Sequence, residues 1–144
     1  MMGMISAPGA PRGKSSDTFC YLSDIYRTLC DLIGLEAPAS VEGSSLVPAM
    51  RGDDKIRDVM YFAYTHLMRG VRDSRFKLIE YVNEDARHTH LFDLDEDPHE
   101  LNNLAADPAH AETLARLRKE LLRLRDENCD TRDKHQVFWQ GYAE

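Results

Sequence analysis

Apolar positions in the first third of the chain come in short, punctuated bursts. The run from Met1 to Ile5 ends in Ser-Ala-Pro-Gly and reads as a buried strand followed by a turn. Ala7 to Ser16 is rich in Pro, Gly and Ser and is expected to be irregular. Leu22-Ser23-Asp24 then offers a helix start, and Ile25, Leu29, Leu32 and Ile33 recur at helical spacing until Gly34 stops them. From Leu35 to Gly43 the chain is again broken by Pro. Ser45 to Met50 predicts a single helical turn closed by Gly52, and Asp53, Asp54 and Lys55 mark a solvated connection.

The middle third changes period. Val59 to Tyr64, Leu67 to Arg72, Phe76 to Val82 and Thr89 to Leu94 are enriched in β-branched and aromatic residues and separated by short polar stretches, which predicts four antiparallel strands. Asp73-Ser74 falls where a two-residue hairpin turn would sit, although Ser suits the positive φ of a type I′ turn less well than Gly. Beyond Asp97-Pro98 the period becomes helical. Leu114, Leu117, Leu121 and Leu124 recur at intervals of three and four from Ala109 onward, with Arg and Lys on the opposite side. The fold class is therefore α+β: about four antiparallel strands with a long C-terminal helix packed on one face, preceded by a short helix and an orphan strand. The last residues, Asp130 to Glu144, mix charge with Val137, Phe138, Trp139 and Tyr142. They are expected to wrap back on the domain or to dock on another.

Composition narrows the function classes. A length of 144 residues allows one domain with a real core, yet is short for a hydrolase that also houses a metal site and a substrate pocket. The hydrophobic fraction is 42% and the charged fraction 30%, as in ordinary globular proteins, and no stretch approaches a membrane span. A net charge of -7, with Arg and Lys interleaved with Asp and Glu, argues against a nucleic-acid surface. Met1 to Lys14 has no positive n-region and reaches Pro and Gly too soon for a signal peptide, so a cytoplasmic location is the default expectation.

Candidate chemistry is sparse. Cys20, Cys30 and Cys129 are an odd count at wide spacing and form neither a disulfide framework nor a Cys-x-x-Cys metal site. No Gly-x-Ser-x-Gly elbow and no phosphate-cradling Gly-rich loop is present. His88 and His90 fall on one face of a predicted strand, but spacing indicates no third or fourth ligand, so both read as surface or packing residues. Asp93-Leu94-Asp95-Glu96-Asp97 begins like a calcium loop. Pro98 then stands where Gly makes the sharp turn and Leu104 where the bidentate Glu belongs, so the segment reads as a solvated turn leading into the following helix. No catalytic and no metal residue is assigned.

Three stretches in order carry a resemblance. The first is Asp24-Ile25-Tyr26-Arg27-Thr28-Leu29 followed by Gly43-Ser44-Ser45-Leu46, the second Met68 to Tyr81 (MRGVRDSRFKLIEY), and the third Leu91 to Ala105 (LFDLDEDPHELNNLA). Together they resemble the C-terminal part of the type I, formylglycine-dependent sulfatases of the alkaline-phosphatase-like superfamily, over roughly Met1 to Asp130. Arg27 stands where that family usually has Pro, and Ser74 where it has Gly. The resemblance implies that residues 1–56 are the end of the sulfatase α/β domain, 57–130 its C-terminal subdomain and 131–144 a tail. It also implies a formylglycine made in a Cys-x-Pro-x-Arg motif beside a bound calcium, both in the N-terminal part of such enzymes. Cys20, Cys30 and Cys129 are followed by Tyr-Leu-Ser, Asp-Leu-Ile and Asp-Thr-Arg, so none stands in that motif. By the same implication Tyr64, His66 and Arg69 at a strand end are candidate contacts to a sulfated small molecule or glycan.

Two readings of function follow. One is the C-terminal portion of a sulfuric ester hydrolase, inactive alone and paired with a sulfatase catalytic domain, giving structure or part of the substrate cleft. The other is a free-standing, non-catalytic interaction module that binds a partner protein.

Overall fold

The computed structural model describes residues 4–8, 10–52, 55–83, 86–131 and 136–142. They form two compact units, Met1–Asp58 and Val59–Glu144.

The first unit is built around helix α1 (Asp24–Ile33) and the single-turn helix α2 (Val47–Arg51). Each ends at a glycine in the left-handed region, Gly34 at φ 73° and Gly52 at φ 84°, as the stop signals in the sequence predict. Ser23 makes no side-chain capping bond. Asp24 instead turns its carboxylate away from its own helix and accepts hydrogen bonds from the Tyr21 N–H (2.6 Å) and the Ser44 N–H (2.8 Å), while the Arg57 guanidinium grips both oxygens at 2.5 and 2.9 Å. One turn on, the Thr28 hydroxyl donates to the Asp24 carbonyl and accepts from the Leu46 N–H at 2.9 Å. Gly43 completes this junction, since a Cβ there would lie 2.2 Å from the Ser23 carbonyl oxygen. The strand expected over Met1 to Ile5 falls partly outside the described residues; Met4 and Ile5 are exposed and in no strand.

The second unit is a meander of four antiparallel strands in the order β1 (Met60–Tyr64), β2 (Met68–Arg72), β3 (Phe76–Asn83) and β4 (Ala86–Asp93). The long helix α3 (Ala111–Glu127) follows a 3-10 turn at Pro108–His110, whose Asp107 carboxylate accepts from the Ala109 N–H at 2.9 Å. Because α3 is amphipathic, it lies with its leucines on β2 and β3. Val71, Leu78, Leu91, Leu117 and Leu121 make a fully buried core, flanked by Val59, Tyr61, Phe76, Leu114 and Leu124. The α+β expectation is thus met, with the helix on one face only.

Two local features differ from the sequence expectation, and a third settles an alternative it left open. The hairpin between β2 and β3 has its tip at Ser74 and Arg75, one residue later than expected. Asp73 closes it with its own side chain, accepting from the Arg75 N–H (2.8 Å) and the Phe76 N–H (2.6 Å), while its N–H donates to the Phe76 carbonyl (3.0 Å). With the side chain doing this, no residue of the tip needs a positive φ, and the absence of Gly is harmless. Strand β4 starts three residues before Thr89, at Ala86, because it pairs with β3 down to Asn83. The tail, which the sequence left with two destinations, wraps back on its own unit: helix α4 (Gln136–Trp139) places Phe138 in full burial, and Trp139 and Tyr142 against the core.

The Leu91 to Ala105 stretch seals the outer edge of the sheet. Among the described residues no strand pairs with the far side of β4, so its outward N–H and C=O groups need partners. The Asn103 amide supplies two of them, accepting from the Leu91 N–H (2.9 Å) and donating to the Thr89 carbonyl (3.0 Å). The Leu104 N–H supplies a third by donating to the Leu91 carbonyl at 2.8 Å. The acidic run before it is a turn, with Asp93 held by a bidentate Arg75 and the Asp97 carboxylate accepting from the Asn102 N–H at 2.7 Å.

Candidate functional site

The sheet has two unlike faces. Register places Met60, Phe62 and Tyr64 of β1, Met68, Gly70 and Arg72 of β2, Lys77, Ile79 and Tyr81 of β3, and His88, His90 and Phe92 of β4 on the face away from α3. No acidic residue occurs among these positions, although the chain as a whole carries a net charge of -7. One row of this grid runs Tyr64, Met68, Tyr81, His88 along the sheet end that carries the β1–β2 turn. Tyr81 and His88 stack at 4.8 Å with 17° between their planes, and Tyr81 meets His90 at 5.5 Å. Tyr64 is 64% exposed, and His66 in the turn beside it is exposed too.

Arg69 takes the opposite side. It pairs with Glu80 in the register and points into the α3 face, where its side chain is fully buried. Its guanidinium holds Asp130 through Nε and, at 3.0 Å, through Nη2. Nη1 donates to the carbonyls of Thr65 (2.9 Å) and Met68 (2.8 Å). Of the three residues named from sequence, two therefore share the open end of the sheet, while Arg69 lies beneath and braces the turn that presents them. The brace matters because Thr65 adopts φ 50°, a left-handed conformation costly for a β-branched residue and held by its surroundings.

Beneath the turn the polar groups are densely paired. The Tyr61 hydroxyl donates to Asp130, and burial, reinforced by that carboxylate, pushes the Tyr61 phenol well above its ordinary value. Glu80, fully buried, accepts from Arg118 at 2.8 Å. The tail closes over these arginines, with Phe138 against Arg69 (5.2 Å to the ring centre) and Arg87 (4.6 Å), and the Phe138 carbonyl accepting from Arg87. Burial also raises the Tyr142 phenol, with the nearby Glu80 carboxylate as the second cause.

Sequence reasoning placed His88 and His90 on one strand face but read them as surface or packing residues, and it did not single out Tyr81. The available signal was the alternation of β3 and β4 combined with a hairpin register; that register sets Tyr81 opposite His88 and in line with Tyr64. Among the described residues no group of three or more His, Cys, Asp or Glu side chains is placed to hold a metal ion.

The model of the family described as N-sulphoglucosamine sulphohydrolase, C-terminal, matches residues 3–127. This chain belongs to that family. It is a C-terminal sulfatase-family domain of the alkaline-phosphatase-like superfamily. Over 101 residues, 64% of the chain, it is 35% identical to a Delta 4,5-hexuronate-2-O-sulfatase of Bacteroides thetaiotaomicron, of which this stretch is 21%. A structure solved with its substrate D-glucosamine-2-N,6-O-disulfate superposes at a TM-score of 0.68 and 27% identity, covering 78% of this chain and 25% of that one. A phosphonate monoester hydrolase from Silicibacter pomeroyi superposes at 0.72 and 28% identity, covering 85% and 28%. The sulfatase-family domain thus spans between about a fifth and just over a quarter of the length of these relatives. Among the described residues no helix is long and apolar enough to cross a membrane.

Proposed function

We propose that this sulfatase-family domain forms one wall of the substrate cleft of a sulfuric ester hydrolase, with the bond-breaking chemistry supplied by a catalytic portion of the enzyme. The observation that carries this reading is the aromatic and His-bearing end of the sheet face away from α3, in a chain matched over residues 3–127 by a sulfatase C-terminal family. Formylglycine and calcium, which the family implies, do not fit the residues present. None of the three cysteines stands in a Cys-x-Pro-x-Arg motif, and no described cluster of acids offers a calcium cage. In this reading the step of ester cleavage belongs to the catalytic portion of the enzyme.

Its residues bind and orient. The exposed Tyr64 hydroxyl and His66 ring N–H are donors for the oxygens of a sulfate, and the exposed His88 ring, backed by the stacked Tyr81, offers its outer face to a sugar ring. Arg69 does not touch substrate in this reading; it positions the turn by holding the Thr65 carbonyl. The substrate class is a sulfated saccharide, the class bound in the similar structure that holds D-glucosamine-2-N,6-O-disulfate.

Kinetics of the assembled enzyme test this. In Tyr64→Phe and His66→Ala variants KM for a sulfated saccharide should rise about tenfold each, the weight of one hydrogen bond to a charged group, with kcat little changed. Turnover of a small aryl sulfate, too short to reach the sheet, should not change. Unaltered KM in both variants would sink the assignment. The alternative, a non-catalytic interaction module that offers its aromatic tail to a partner protein, has less support, because Phe138 of that tail is fully buried.

A further inference from the structure

The donors of Arg69 join two parts of the chain that the sheet ladder does not connect. Nε and Nη2 go to the carboxylate of Asp130, which follows α3, while Nη1 donates to the Thr65 and Met68 carbonyls of the β1–β2 turn. Asp130 reaches this place through a strained reversal. The Cys129 N–H donates to the Asp126 carbonyl (3.1 Å) and the Asp130 N–H to the Arg125 carbonyl (2.9 Å), the paired bonds that end a helix on a left-handed residue. Gly usually fills that position, yet Cys129 adopts φ 51° in spite of its Cβ. Farther along, the Phe138 and Trp139 rings lie 5.2 and 6.0 Å from the Arg69 guanidinium carbon. Two other arginines tie those rings down: Arg87 donates to the Phe138 carbonyl, and Arg125 lies 5.3 Å from the Trp139 ring centre. Asp130, Phe138 and Trp139 all stand outside the stretch 3–127 that the family model matches.

The turn at the other end of Arg69 needs such a hold. Thr65 separates Tyr64 from His66 at φ 50°, so any change in its φ swings the two side chains relative to each other. The Val82 N–H fixes the Leu67 carbonyl at 2.8 Å on one side of the turn, and Arg69 fixes the Thr65 carbonyl on the other. We infer that the chain after α3 is a positioning clamp, in which Asp130 and Phe138 hold Arg69 and, through it, set Tyr64 and His66 to receive a sulfated saccharide. The inference rests on the cleft-wall function proposed above and deepens it, by placing a determinant of substrate binding in the tail. A turn held ready loses little freedom when substrate arrives, so loosening it weakens binding and leaves the bond-breaking step alone.

The test is made in the assembled enzyme with Asp130→Asn, which keeps an oxygen for the Tyr61 hydroxyl but removes the charge that grips Arg69. Amide exchange over residues 64–68 should speed at least about tenfold, with β3 and β4 unchanged. KM for the sulfated saccharide should rise about tenfold with kcat little altered, and Asp130→Glu should restore most of the loss. Added to Tyr64→Phe and His66→Ala together, Asp130→Asn should raise KM no further, because it acts through those two residues. Should the stranded guanidinium unfold the variant, the pair Arg69→Met with Asp130→Asn removes clamp and stranded charge at once and carries the same expectations. Arg123→Ala, which breaks an exposed ion pair with Glu120 on α3, should change none of these readouts. Wild-type exchange in the turn would overturn the inference, and so would acceleration spread evenly over the sheet, which marks general support of the unit. A loosened turn with unaltered KM, beside raised KM in the Tyr64 and His66 variants, would remove the clamp from binding and leave the cleft wall standing. Unaltered KM in the Tyr64 and His66 variants as well would defeat the cleft-wall reading and the clamp with it.

Discussion

Helices α1 and α3 have the same kind of amphipathic sequence and opposite fates. In α3 the leucines go in and the charges go out: Leu117 and Leu121 are fully buried on the sheet, and Arg123 reaches Glu120 at 2.9 Å in solvent. In α1 the polar side goes in, held by Arg57, Ser44 and Leu46, and the apolar side goes out. Amphipathic periodicity says that a helix has two sides, but which side faces the protein's own core depends on what the rest of the chain supplies. For α3 the sheet of its own unit is that supply. For α1 the first unit supplies donors and one guanidinium.

The contrast can be broken at several points. The largest effect is expected for Asp24→Ala, which strands the Arg57 guanidinium and the Tyr21 and Ser44 N–H groups around a vacated site. Removing one partner of a buried pair costs about 3–5 kcal/mol, read as faster amide exchange across α1. Acid should reproduce part of this loss. Burial by itself raises the Asp24 carboxyl, but Arg57 and the two N–H donors outweigh it and hold it below the ordinary value of about 3.9. A carboxyl lowered in the folded state stabilises fully above its unfolded value and loses that contribution as the pH falls through the lower native one. The gap between wild type and Asp24→Ala should therefore be constant above about pH 5 and close below about pH 4. A gap that persists in acid would mean that the charge of Asp24 is not what locks the helix.

Next in size, Leu121→Ala should cost the second unit about 2–5 kcal/mol in denaturant unfolding, while Leu29→Ala should change the isolated chain by less than about 0.5 kcal/mol. Comparable losses at the two leucines would erase the contrast between the helices. The smallest effect belongs to the sheet edge. Asn103→Ala removes the partners of the Leu91 N–H and the Thr89 carbonyl and should cost about 1–2 kcal/mol, with exchange accelerated along β4 rather than in β2. Uniform acceleration across the sheet would show that Asn103 supports the whole unit and not its edge.

Much of this protein could be read from its sequence. Period-two and period-3.6 patterns gave the four strands and the two main helices, because alternation and the leucine spacing are local properties of the chain. The ordered stretches from Asp24 to Leu46, Met68 to Tyr81 and Leu91 to Ala105 gave family membership, and the structure explains their content. Asp24, Thr28, Gly43, Asp73 and Asn103 each satisfy or make room for backbone groups at a junction, so what identifies the family is largely what holds its turns together. Tyr64 and His66 were candidates, with Arg69, only through what the family resemblance implies about a strand end beside a substrate cleft.

Other properties waited for the tertiary structure. That Arg69 is a buried brace rests on Asp130, sixty-one residues away, which no spacing rule connects to it. The alignment of Tyr81 and His88 with Tyr64 depends on register, and a slip of one residue would send each to the opposite face. The direction in which α1 faces depends on partners at Ser44, Leu46 and Arg57, contacts made only once the chain has folded back on itself. Sequence pattern records which residues avoid water; only the folded chain shows where each finds shelter.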